Sequence, residues 1–138
     1  MIDFSSQTDY ELQQEGEVSK WISTIIASEE FAEGDISYVF CDDDYLHNLN
    51  KEFLDHDTLT DIISFDYSLG KQIHGEIYIS VDRVLDNSKT FETAFIDELH
   101  RVMIHGILHY CGYKDKSKAD ATLMREKENS ALKSRTFL

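Results

Sequence analysis

Along the chain, apolar positions fall into runs that read in turn as strands and helices. Ile2-Asp3-Phe4-Ser5 alternates and predicts a short edge strand. Val18, Trp21, Ile22, Ile25 and Ile26 stand at helical spacing, which predicts a helix over 18–31 with Gly34 as its stop. Ser37–Cys41 is β-branched and aromatic, hence a strand. Asp42-Asp43-Asp44 then supplies an N-cap and a negative first turn for a helix with Tyr45, Leu46, Leu49 and Phe53 on one side. Asp61–Tyr67 and Glu76–Val81 read as strands joined through a hairpin turn at Ser68-Leu69-Gly70-Lys71. From Thr90 to Tyr110, Phe91, Phe95, Leu99, Val102 and Met103 recur at steps of three and four, predicting one long helix closed by Gly112. A last helix spans about 118–133. The order β, α, β, α, β, β, α, α predicts an α+β fold, one domain over 1–138 with helices laid on a small sheet.

Composition narrows this little. Of the 138 residues, 41% are hydrophobic and 12% aromatic, enough for a packed core and too many for disorder. Cys41 and Cys111 are too few for a disulfide framework and read as reduced thiols of a cytosolic protein. No apolar run approaches the roughly 18 residues that cross a bilayer. Met1–Glu15 lacks the basic start and apolar stretch of a signal peptide. A cytoplasmic protein without a membrane partner is expected. With no proline, the turns rely on Gly, Asp, Asn and Ser.

The candidate chemistry lies at the end of the longest predicted helix. His105 and His109 in His105-Gly106-Ile107-Leu108-His109 stand one turn apart on one helix face, where both can reach one ion. Beyond Gly112, a chain folding back offers Asp115 as a third ligand. Two imidazoles and a carboxylate suit one Zn2+ per chain and leave a fourth position for a water that ionises near neutral pH. The spacing alone is a weak signal. It gains from the apolar residues on several sides of this helix, because buried imidazoles need partners. Gly106 costs the helix about 1 kcal/mol relative to Ala, which suits a close approach of something to the backbone. It also stands where zinc peptidases of the His-Glu-x-x-His type carry their general base. Glu98 is then the candidate base, or the group that orients a ligating histidine.

Three blocks together resemble the YbeY family of bacterial endoribonucleases, also known as rRNA maturation factors. They are Leu49-Asn50 followed by Phe53, Asp57 and Thr60-Asp61-Ile62-Ile63-Ser64-Phe65; Gly75-Glu76-Ile77-Tyr78-Ile79-Ser80; and His105 to Asp115. The resemblance covers about residues 36–132. It implies a small mixed sheet covered by helices, with a metal at the mouth of a cleft and at the end of a central helix. It also implies a zinc-dependent endoribonuclease directed at single strands, acting in rRNA processing at the small ribosomal subunit and in ribosome quality control. His105 and His109 match the family's ligands. Asp115 stands where the family has a third histidine, a harder donor that still suits zinc. Leu54 stands where the family usually has an RNA-contacting arginine, and a neutral residue cannot hold a phosphate. Two other readings stand beside this one. The same zinc water suits amide or ester hydrolysis, and Leu54 suits a ribosome-assembly or RNA-binding factor whose metal is mainly structural.

The formal net charge of −14 opposes an RNA partner until it is divided. Residues 1–61 hold sixteen acids and two bases, and residues 62–138 hold eleven of each. From Lys114 onward there are seven bases and four acids, so RNA is expected to enter from the C-terminal side. Lys114 and Lys116 are candidate phosphate contacts, Thr60 and Ser64 candidate polar contacts, and Tyr113 a candidate for stacking on a base or packing over the metal loop. His47, His56, His74 and His100 are expected at the surface. Cys111 is expected to point away from the two histidines as a buried thiol.

Overall fold

The structure, a computed structural model, describes all of residues 1–138. Its elements are β1 (Ile2–Ser6), α1 (Glu15–Ser28), β2 (Ala32–Cys41), α2 (Asp43–Leu54), β3 (Ile62–Asp66), β4 (Gln72–Ser80), α3 (Val81–Thr90), α4 (Phe95–Tyr110) and α5 (Lys118–Lys133). The sheet order is β1-β2-β4-β3. β1, β2 and β4 run parallel, and β3 is antiparallel to β4. The fold is α+β with a mixed sheet, and β1 lies at one edge as its alternation predicts.

Alternation along β4 sorts the two sheet faces. Ile73, Ile77 and Ile79 are fully buried in the main core with Ile36, Tyr38 and Phe40 of β2. Tyr78 points the other way and packs with Phe65 and Ile63 under Leu46 and Leu49 of α2. Helix α4 contacts β3, β4, α1, α3 and α5. It buries Leu99, Val102, Met103, Ile104, Ile107 and Leu108, and that enclosure makes it the central helix. Two hydrogen bonds fix it on the sheet. Tyr38 Oη donates to Met103 O at 2.9 Å, and Tyr110 Oη donates to Phe65 O at 2.9 Å. A side chain at Gly75 would overlap the Tyr110 ring and the Phe65 carbonyl, so glycine there makes room for the second anchor.

Several boundaries differ from the sequence expectation. The stretch Thr90–Tyr110 is not one helix. α3 ends at Thr90, Glu92 turns the backbone at φ 54°, and α4 starts at Phe95. Phe91, expected on the buried stripe, is 59% exposed in this turn. The start of α3 lies where Val81 reads as a strand residue; Ser80 caps it by accepting from Arg83 N at 3.2 Å. α1 ends at Ser28, and the chain turns at Glu30 with φ 63°. Gly34 is therefore no helix stop. It lies in β2, where a Cβ would meet the His74 ring and the Ile73 carbonyl at 2.5 Å. β2 and β4 both begin earlier than predicted, pairing Ala32 with Gln72. The hairpin turn is observed, with Gly70 at φ 57°. Asp42 caps α2 by accepting from Tyr45 N at 2.8 Å, and Ser117 caps α5.

Candidate metal centre

Helix α4 delivers His105 and His109 from its last two turns. Gly112, at φ 98°, then reverses the chain, with Tyr113 N donating to Leu108 O at 3.0 Å. This is the bond that closes a glycine-ended helix. It brings Asp115 back over the helix end. His105 Nε2 and His109 Nε2 are 3.0 Å apart, and each is 3.2 Å from Asp115 Oδ2. The three donor atoms form one triangle. Donors held about 2.0–2.2 Å from a tetrahedral ion stand about 3.3–3.6 Å from one another, a few tenths of an ångström wider than this.

The chemistry of the donor set gives a stronger test of fit. His109 Nδ1 lies 2.9 Å from the Tyr113 carbonyl, which only accepts, so Nδ1 carries the proton. His105 Nδ1–H donates to Glu128 Oε2 at 2.7 Å. In the neutral imidazoles both Nε2 lone pairs are then bare. They converge on each other and on a carboxylate oxygen, an arrangement a cation satisfies and three lone pairs alone do not. The group can hold a divalent ion.

Behind His105 stands a carboxylate that the sequence reading missed. Glu128 is buried on α5 and also accepts from Arg101 Nη1 at 3.0 Å. Burial works against its charge, but the His105 and Arg101 hydrogen bonds outweigh that and hold its pKa below the usual range. Burial likewise disfavours a charged His105, and the Glu128 hydrogen bond, with the fields of Glu128, Asp115 and Asp61, raises its pKa overall. The signal was present: Met124, Glu128 and Ala131 form the buried stripe of α5, and a glutamate on an apolar stripe needs a partner.

Glu98, offered as the group orienting a histidine, does not touch His105; Glu128 does. Glu98 lines a cleft of about 400 Å³ beside His105 and Asp115, with Asp61 and Ile62 on another wall. It is buried, which raises its pKa against the opposing fields of Arg101 and Arg125. Burial raises Asp61 in the same way. Gly106 is approached, as expected of a helical glycine, but by the sheet: a Cβ would stand 3.1 Å from Ile77 and 3.2 Å from Ile62.

The remaining candidates are scattered. Lys114 and Lys116 are exposed on the loop that carries Asp115. Tyr113 is engaged in packing: its hydroxyl donates to Glu29 Oε1 at 2.6 Å, and Lys127 Nζ lies over its ring. Thr60 Oγ1 donates to Ile62 O at 3.3 Å, and Ser64 is half-buried on β3; neither lines the cleft. His100 corrects the expectation of a surface histidine. It is 1% exposed, packed between Trp21 and Phe137, and Arg135 Nη1 donates to its Nδ1 at 2.9 Å. Cys111 is half-buried rather than buried, and burial pushes its thiol up to about 11.

A family model described as Endoribonuclease YbeY matches residues 2–136. The chain belongs to the YbeY family. It is 57% identical over 133 residues to the Endoribonuclease YbeY of Flavobacterium psychrophilum, covering 96% of this chain and 95% of that one. It is 58% identical over 132 residues to the protein of the same name from Flavobacterium johnsoniae, with the same shares covered. The solution structure of a Thermotoga maritima protein is similar at a TM-score of 0.67 and 27% identity, covering 96% of this chain and 87% of that one. The YbeY match reaches beyond the 36–132 span on which the three blocks stand and takes in β1 and the end of α5. No helix of the structure is long and apolar enough to cross a membrane.

Proposed function

We propose that residues 1–138 form a single metal-dependent endoribonuclease domain that cleaves single-stranded RNA in the maturation of ribosomal RNA and in ribosome quality control. The observation that carries the reading is the triangle of His105 Nε2, His109 Nε2 and Asp115 Oδ2, set beside a cleft in a chain of the YbeY family. Zinc is the resident ion in this reading, because two imidazoles and one carboxylate match its catalytic donor set and leave one position open. The small ribosomal subunit is the partner and the cytoplasm the site of action, as the family likeness implies.

When bound, the ion supplies Lewis acidity and a water that ionises near neutral pH. The chain supplies the rest. Glu128 and the Tyr113 carbonyl hold the two imidazoles in the tautomer that turns Nε2 toward the ion. Glu98, buried in the cleft wall, is the candidate general base. Lys114 and Lys116 bring positive charge to the rim for the RNA backbone. Gly106, where a zinc peptidase of the His-Glu-x-x-His type keeps its base, weighs against amide hydrolysis.

The purified protein is expected to hold one divalent ion per chain. It should cut single-stranded RNA but not casein, with cutting lost on chelation and in His109→Ala. RNA cutting that persists in His109→Ala, or a metal-loaded protein that cuts casein alone, overturns the reading.

A further inference from the structure

The cleft beside the metal ligands presents a charge problem to any polyanion. Asp61, Glu98, Glu128 and Asp115 all line it, and Arg101 and Arg125 are its only lysine or arginine residues. Arg101 is committed: Nη1 donates to Glu128 Oε1 at 3.0 Å and Nη2 to Asn129 Oδ1 at 2.8 Å. Arg125 is placed differently. Its nearest acid is Glu128 at 3.8 Å, beyond hydrogen-bond reach, and that carboxylate already pairs with Arg101 and His105. The Arg125 side chain is 58% exposed and makes no hydrogen bond within the chain. Its donors therefore stand open at the cleft wall, and Glu128, 3.8 Å from Arg125, also holds the ligand His105 at 2.7 Å. Leu54, in contrast, ends α2 and does not line this cleft.

We infer that Arg125 is the phosphate-holding residue of this cleft, its guanidinium fork gripping two non-bridging oxygens of a single-stranded RNA phosphodiester next to the metal ligands. The inference rests on the reading of the site as an RNA-cleaving centre. It follows from chemistry as much as from position. A planar guanidinium offers two parallel N–H donors that match a phosphodiester, whereas a lysine offers a point charge. Neither the paired Arg101 nor a neutral Leu54 can do this. Arg125 also sits on α5, the helix that carries Glu128, so the phosphate grip and the ligand support share one rigid element.

The test uses the metal-loaded protein and a fluorescent single-stranded RNA with unmodified phosphodiesters, read before cutting sets in, its length checked on a gel after each titration. Anisotropy gives Kd from about 50 to 200 mM salt. Arg125→Gln is expected to bind about five- to tenfold more weakly. Its plot of log K against log salt should be shallower by about 0.7, the loss of one single-strand phosphate contact. Arg125→Lys should recover part of the affinity. Lys20→Gln, on exposed α1, should match the wild type and so exclude a general charge effect. Unchanged thermal midpoints would show that the variants fold. Arg125→Gln with wild-type affinity and salt slope overturns the inference and leaves the nuclease reading standing. A wild type that neither binds nor cuts RNA overturns the nuclease reading itself.

Discussion

Glu128 shows how one carboxylate serves two charges. One oxygen accepts from His105 and the other from Arg101, and the side chain is 6% exposed. Glu128→Gln keeps the shape but removes the charge that makes His105 a strong donor. Metal affinity should fall about tenfold or more, as read by competition with a chromophoric chelator. His100 is the opposite case, a buried imidazole whose Nε2 has no partner. Burial, helped by the Arg135 charge, lowers its pKa to about 4 from an ordinary 6.5. The fold therefore prefers neutral His100. Its contribution is fully present above pH 6.5, is lost as the pH falls from there toward 4, and amounts to about 3 kcal/mol. Denaturant unfolding across that window should show the loss in the wild type and a flatter profile in His100→Phe.

Among the elements, the helix–sheet junction holds two glycines of unequal tolerance. At Gly75 an added Cβ meets backbone, the Phe65 carbonyl at 2.7 Å, and the Tyr110 ring. At Gly106 it meets only the methyl tips of Ile77 and Ile62, at 3.1 and 3.2 Å. Gly75→Ala should therefore cost about 3 kcal/mol, while Gly106→Ala should lie within about 1 kcal/mol of the wild type, its contacts offset by the gain in helix propensity. Urea titrations of both variants check the order. Legibility in the sequence follows the same physics. α4 and its histidines were readable because a buried helix repeats its apolar positions for several turns. α3 was not, because it buries only Val84 and Ser88 and begins at a valine that continues a strand. Asp115 was readable through Gly112, a local signal. Glu128 carries the local signal of an acid on an apolar stripe, but its partner His105 and the place of Arg125 depend on how α5 lies along α4, which no short-range pattern states.

At the scale of the molecule, an ion held by His105, His109 and Asp115 would couple metal binding to folding. The ligands come from one helix and one loop, and their support comes from a second helix. An ion that binds only the folded chain adds about 2.7 kcal/mol when present at a hundred times its Kd. Chelation should lower the thermal midpoint of the wild type and leave that of His109→Ala unmoved, as read by calorimetry. The sixteen acids of residues 1–61 oppose RNA, and two of them, Asp61 in the cleft wall and Glu29 against Tyr113 and Lys127, reach the side of the metal loop and α5, so approach there rests on the seven bases from Lys114 onward.

The place of Glu128 in the chain has a consequence in time. Synthesis runs from β1 toward α5, and domains begin to fold as they emerge. A partial chain that stops between α4 and α5 has the sheet, α4 and both histidines, but lacks Glu128, the carboxylate behind His105, and Arg125. A nascent fragment is therefore an unfinished tool, and the cutting edge is set only when the last helix closes over α4.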